Sequence, residues 1–194
     1  IAVAYHGEPL QVGFNVGYLI DVMGVINSDD YLASNNVIED VVMRIDAEGL
    51  DYVYGMSQRV NGIGRDLYVH KPLRFLSKSI YDYFVFNISH HTLYFRSSIL
   101  RDVPFFEQNN NEAVDLSFMR RLYKSNFKGR NIHKVVACFR IHEENYSKSY
   151  SLGATSELFH RWTGLPAQLF VIPKLIQVLF NPKYGFYLLS RMFK

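Results

Sequence analysis

Apolar residues recur along the chain in two alternating rhythms. Leu19 to Ile26 is an apolar run, broken by Asp21, that reads as a buried strand. Val37, Ile38, Val41, Val42 and Ile45 then fall at helical spacing, which predicts a helix capped by Ser34 and ended by Gly49. Leu50 to Tyr54 is a short strand-forming run closed by Gly55. Asn61-Gly62, between Gln58-Arg59-Val60 and Leu67-Tyr68-Val69, is a hairpin signal. Leu73 to Tyr83 reads as a helix, Thr92 to Arg96 as a strand and Ser97 to Asp102 as a turn. Glu112 to Ser125 predicts a second amphipathic helix, with Val114, Phe118 and Leu122 inward and Arg120, Arg121 and Lys124 on a solvated face. Val135 to Ile141 is a further strand. Residues 1–18, with Gly7, Pro9, Gly13 and Gly17, read as irregular. Helices alternating with strands place the chain in the α/β class.

Near Thr155 the composition changes. From there to Lys194 the only acidic residue is Glu157, while Arg161, Lys174, Lys183, Arg191 and Lys194 are spread among large apolar side chains. Pro166, Pro173 and Pro182 cut this stretch into short pieces. The expected organisation is therefore a main domain over 1–152 and a hydrophobic, basic helical tail over 153–194. Short apolar helices carrying cations suit a segment lying in an anionic membrane interface.

Overall composition narrows the function classes. The 194 residues, 48% of them hydrophobic, suffice for a sizeable core, and fourteen Tyr with fifteen Phe fit strands and sugar-stacking surface. A formal charge of +3 with no basic run interleaved with aromatics excludes a nucleic-acid partner. The single cysteine, Cys138, excludes an internal disulfide and a cysteine-based metal site, and its apolar run predicts a buried, inert thiol. Without a signal peptide or an 18-residue apolar span, the expected location is cytoplasmic, peripheral on the inner face of the cell membrane. The chain starts at Ile1 and reaches its first polar cluster within thirty residues, which suggests the later part of a larger domain.

That cluster, Asn27-Ser28-Asp29-Asp30-Tyr31, carries the strongest chemical signal. Ligands of open α/β sheets bind beyond the carboxyl ends of strands. Two adjacent carboxylates there repel each other unless a cation or a hydrogen-bond network holds them, and a hard divalent ion bridging to phosphate is the usual solution. Ser-Asp-Asp before a helix is equally an ordinary N-terminal turn. Further candidates follow downstream. His90 and His91 precede a strand, Asp115 lies in the first turn of a helix, where the dipole favours its charge, and Arg140-Ile141-His142 ends a strand.

Taken in order, these stretches resemble the family 2 glycosyltransferases. The matching segments are Asn27 to Tyr31, Asp51-Tyr52-Val53-Tyr54-Gly55, Ser89 to Arg96, Asp115 to Arg120, and Val136 to His142 with Ser147 to Ser149 beyond. The resemblance covers roughly residues 19–150 and lacks the family's first nucleotide-binding strands. It implies a partial GT-A fold, a Rossmann-like mixed sheet flanked by helices, with a C-terminal amphipathic helical tail. It also implies inverting transfer of a sugar from a nucleotide-sugar, UDP-linked, to a polysaccharide or lipid-linked acceptor. Asp29, Asp30 and His142 would hold Mn²⁺ or Mg²⁺ on the donor diphosphate, with Arg140 beside it. His90 and His91 would line the acceptor side. The general base stays open between Asp115 and Glu112, because Ser117 stands where the family places a second acidic residue. Two other classes remain: a metal-dependent phosphohydrolase using Asp29, Asp30 and His142, and a truncated, non-catalytic interaction module.

Overall fold

The computed structural model describes residues 22–24, 30–73, 81–83, 88–105, 114–141, 159–183 and 185–186. Asp29, Glu112, His142 and most of the helix expected over Leu73 to Tyr83 lie outside them.

Within these residues one six-stranded sheet runs β1 (Val22–Gly24), β5 (Leu93–Arg96), β3 (Tyr52–Asn61), β6 (Gly129–Ile141) and β2 (Tyr31–Leu32), with β4 (Asp66–His70) also paired to β3. The β3–β6 pair is parallel and the other pairs are antiparallel, so the sheet is mixed. The fold is α/β, as the alternation of helices and strands predicts.

Strand periodicity decides which helix covers which face. Side chains alternate across a strand, and here Tyr52, Tyr54, Leu93 and Phe95 fall in one core cluster while Val53 and Tyr94 fall in the other. The Val53 face is covered by α1 (Val37–Ala47), through Val37, Val41, Val42 and Ile45. The Tyr52 face is covered by α2 (Val114–Lys124), through Leu116, Phe118, Met119 and Leu122, and by Phe159 and Phe170 from the tail. Burying each such side chain contributes about 1.5–3 kcal/mol.

Several elements differ from their sequence signals for identifiable reasons. Asn36 rather than Ser34 takes the N-cap place of α1, without a side-chain hydrogen bond, while the Ser34 carbonyl accepts from the Val37 N–H at 3.3 Å. Gly49 does lie just past the helix, at φ +56°, the left-handed conformation that favours glycine. Gly55 does not close a strand. It sits inside the ten-residue β3, where a Cβ would lie 2.7 Å from the Lys134 carbonyl oxygen and 2.8 Å from Val136. The glycine permits the close approach of β6 at an irregular step in the pairing register. The hairpin appears as expected, with Asn61 Oδ1 accepting from the N–H groups of Ile63 and Arg65 at 3.1 and 2.8 Å.

Arg120 is not on a solvated face. It donates from Nε and Nη2 to the Asp82 carboxylate at 2.7 and 3.2 Å, joined there by Lys124, and its guanidinium lies over the Trp162 ring. This ties α2 to the turn at Tyr81–Tyr83 and to the tail.

Two predictions follow from this packing. Gly55→Ala should cost about 1–3 kcal/mol, because backbone rather than a flexible side-chain tip blocks the added methyl; urea unfolding measures it, and an unchanged midpoint contradicts the close approach. Asp82 tests the tie by pH. Burial pushes its pKa up, but hydrogen bonds and charge from Arg120 and Lys124 outweigh this and hold it below the ordinary value. The stability this supplies is present above the unfolded carboxyl value of about 3.9 and is lost as pH falls through the lower folded value. Arg120→Ala should therefore be less stable than wild type by about 2 kcal/mol at neutral pH. That gap should close on acidification below pH about 4; a gap independent of pH would leave the ion pair without weight.

Candidate functional site

The candidate site forms where the chain crosses the carboxyl end of the parallel β3–β6 pair. Asp30 immediately precedes the edge strand β2, whose Tyr31 and Leu32 pair with Cys138 and Ala137 of β6. This pairing sets Asp30 beside the last residues of β6, where its Oδ1 accepts from the Arg140 N–H at 3.2 Å. The Asp30 side chain is fully shielded from solvent. The strand expected to lead into it is described at Val22–Gly24, the residues between lie outside the described ones, and Asp30 immediately precedes β2.

Two histidines come from the other side of the sheet. His90–Thr92 is a single 3-10 turn, closed by Thr92, whose N–H and hydroxyl both donate to the Ser89 carbonyl at 2.9 and 2.7 Å. The turn leads directly into β5, which pairs with β3, and so delivers His91 to Ser57 in the middle of β3. Nε2 of His91 and the Ser57 hydroxyl are 2.6 Å apart. The ring stacks on Phe139 with centroids 5.0 Å apart, and the Arg59 guanidinium lies 4.2 Å over the same Phe139 ring. Burial, then the charges of Arg59, His90 and His70, hold the His91 pKa well below its usual value, so the ring is neutral at physiological pH.

His91 is only 1% exposed, and its Nδ1 has no hydrogen-bond partner among the described residues. That nitrogen lies 3.9 Å from Asp30 Oδ2, too far for a hydrogen bond. One ligand atom from each of Asp30, His90 and His91 lies within 4.8 Å of the others. Donors sharing an ion at about 2.1 Å lie at most about 4.2 Å apart, so small side-chain rotations close this cluster on a cation. An orphaned buried imidazole nitrogen beside a buried carboxylate is the donor chemistry a divalent ion requires, and these residues fit one. Among the described residues this is the one such group.

His90 also reaches the second candidate carboxylate. Its Nδ1 is 3.0 Å from Asp115 Oδ2, in the first turn of α2. Burial raises the Asp115 pKa, but the His90 hydrogen bond and charge, with the backbone N–H groups of Leu116 and Asp115, bring it below the ordinary value. Asp115 is 34% exposed, so an incoming molecule can reach it. Asp30, His90, His91 and Asp115 are thus brought together from three separate stretches of chain. Arg140 contributes its backbone N–H to Asp30, while its guanidinium donates to the Gly62 carbonyl at 2.8 Å and lies over Tyr31. Ser57, Phe139 and Arg59, which set the His91 ring, were not singled out from the sequence; no local motif marks them, since each acts through a partner remote in the chain. Cys138 is buried and free, as expected, and burial raises its thiol pKa.

Neither family models nor curated protein sequences give a match to this chain. Comparison with solved structures does. The structure of Staphylococcus aureus TarS 1-349 in complex with UDP-GlcNAc matches with a TM-score of 0.51 at 20% sequence identity, over 73% of this chain and 41% of that one. At that identity the likeness speaks for the fold alone. With its mixed sheet flanked by helices and its polar cluster at the end of the parallel strands, the chain has a glycosyltransferase-like fold.

Proposed function

We propose that the chain is the catalytic and acceptor-side part of an inverting family 2 glycosyltransferase. It would move a sugar from a UDP-linked donor to a polysaccharide or lipid-linked acceptor of the cell envelope. One observation carries this reading: the shielded Asp30 carboxylate and the reachable Asp115 carboxylate converge on the same histidine pair at the carboxyl end of the parallel strands. Donor-diphosphate and acceptor-hydroxyl chemistry need two such groups, close together but in different surroundings.

Asp115 accepts the proton of the acceptor hydroxyl as that oxygen attacks the anomeric carbon. The bond from that carbon to the diphosphate oxygen breaks, its electron pair leaves with the nucleoside diphosphate, and attack from the opposite face inverts the centre. His90 holds Asp115 Oδ2 and so fixes the direction in which the carboxylate faces. Asp30 would hold Mn²⁺ or Mg²⁺, joined by Asp29 and His142 if their family roles apply; the ion, when bound, stabilises negative charge growing on the diphosphate. Through its backbone, Arg140 keeps Asp30 turned toward the cluster. Glu112 remains the alternative base.

The tail fits a protein working at a membrane surface. Phe159 and Phe170 are buried in the core, and Trp162 and Ile176 pack against it. The other side of α3 (Val171–Phe180) leaves Val171, Ile172, Leu175 and Leu179 exposed at helical spacing. Leu169 and Phe186, and the cations Arg161 and Lys183, are also exposed in the tail. No helix among the described residues is long and apolar enough to cross a membrane. The geometry suits a helix lying in the interface of an anionic leaflet.

Asp115→Asn should lower turnover of UDP-sugars by about 10²-fold or more with little change in donor affinity. Rates in the presence of Mn²⁺ and calorimetric binding of UDP would separate the two effects. A larger loss in Glu112→Gln than in Asp115→Asn moves the base to Glu112, and absence of any UDP-sugar turnover or binding by the full chain refutes the transferase. For the tail, flotation with vesicles of 30:70 anionic to zwitterionic lipid, about the charge of a bacterial or cytoplasmic leaflet, should be salt-sensitive. It should fall sharply in Leu175→Asp/Leu179→Asp, and flotation unaffected by that pair rules out α3 as the contact.

A further inference from the structure

We infer that His90 and His91, with Asp30, form a single nitrogen-rich divalent-cation site that selects Mn²⁺, Co²⁺ or Zn²⁺ over Mg²⁺. The inference deepens the transferase reading and rests on it for the ion's role, though not for its binding. It replaces an acceptor-side role for the two histidines by a direct one toward the metal.

Three observations point to it. First, the cluster contains two imidazoles and one carboxylate whose ligand atoms lie within 4.8 Å of one another. Imidazole suits transition metals, whereas Mg²⁺ demands oxygen donors and keeps most of its water. Second, each ring has one nitrogen engaged by a polar group of the protein: Nε2 of His91 by Ser57 at 2.6 Å, and Nδ1 of His90 by Asp115 at 3.0 Å. A ligating histidine characteristically donates its other N–H in this way, which fixes tautomer and ring direction. With Ser57 accepting from Nε2, the lone pair of His91 lies on Nδ1, the buried atom that has no hydrogen bond and stands 3.9 Å from Asp30. Third, the His91 ring is locked between that hydrogen bond and the stacked Phe139, so its orientation toward Asp30 is set before any ion arrives. A buried imidazole nitrogen left without a hydrogen bond costs stability in the absence of a ligand. An ion accounts for its placement.

The same arrangement links the two halves of the proposed chemistry. Asp115 accepts from the ring that would ligate the ion, so the base and the metal site share His90. Asp115 is then a positioning residue for the metal as well as a candidate catalytic one.

The test uses the full chain, stripped with a chelator and titrated calorimetrically with MnCl₂, CoCl₂, ZnCl₂ and MgCl₂ in the absence of nucleotide. One ion per chain is expected for the transition metals, with Mg²⁺ weaker by about 10-fold or more. Bound Co²⁺ should show visible absorption bands characteristic of imidazole ligation. His90→Gln and His91→Asn should each weaken Mn²⁺ and Co²⁺ binding by about 10-fold or more, and change the Co²⁺ spectrum. The exposed His133, away from the cluster, serves as control through His133→Gln. If His91→Asn fails to give a native circular dichroism spectrum, His90→Gln, at a less buried position, carries the test alone. Mg²⁺ binding as tight as Mn²⁺, or transition-metal binding and a Co²⁺ spectrum indifferent to His90→Gln, overturns the site. Metal binding as expected together with no UDP-sugar binding leaves the site standing and removes the transferase reading; the reverse result removes the site alone.

Discussion

The parallel pairing of β3 with β6 is the constraint on which the rest depends. It runs from Tyr52 opposite Gly129 to Asn61 opposite Ile141, and it joins segments separated by the whole middle of the chain. Parallel strands cannot be joined by a tight turn, so the connection must leave the sheet and return, and here it passes through β4, β5 and α2. Asp51 fixes the start of the pair. Its N–H donates to the Lys128 carbonyl at 2.8 Å, and its carboxylate accepts from the Lys128 N–H at 2.7 Å. Gly129 follows because the Tyr52 ring occupies the space a Cβ would need, and Gly55 because Lys134 and Val136 do. Once this register is set, Phe139 and Arg140 can only arrive near Ser57 and Arg59, and the walls of the polar cluster are in place.

The cluster illustrates how a buried polar group is tolerated. Asp30 and His91 are both shielded, and burying either without partners is costly. The protein meets the cost from several directions: a backbone N–H from β6, a hydroxyl from β3, a stacked aromatic ring, and Arg59 behind that ring. Arg59 is itself held by the Ser89 hydroxyl, which belongs to the turn that presents the histidines. Each component therefore supports another that also lines the site. Such a network favours one geometry over many alternatives, because a half-satisfied buried polar network is worse than an apolar core.

What the sequence makes legible follows from how local each interaction is. The core face of α1 could be read from spacing alone, and so could the hairpin at Asn61 and the strand after Thr92, because periodicity and turn chemistry act over a few residues. Asp30 and Asp115 stood out because charge at an element's end is conspicuous. The length of β3 was not readable, since Gly55 looks like a strand breaker until β6 is laid beside it. Nor was the role of Arg120, whose partner Asp82 lies 38 residues away. The same holds for the His91–Ser57 bond across 34 residues and the Asp30–Arg140 bond across 110. The doublet His90-His91 was visible as a feature, but two adjacent histidines on a strand point to opposite faces. Only their placement in a 3-10 turn lets both approach one carboxylate.

That turn also explains why the two carboxylates behave differently. Asp30 faces the turn through His91 and is shielded from solvent, whereas Asp115 meets the turn through His90 and is partly exposed in the first turn of α2. A shielded carboxylate retains charge only beside a cation or strong donors, which suits it to an ion. A reachable one with a helix N-terminus beneath it stays ionised and available, which suits it to a substrate proton. One short turn thus places two identical side chains in two different surroundings. The two rings are adjacent in the chain and meet edge to face with centroids 5.0 Å apart, so the two carboxylates are held by neighbouring members of one turn.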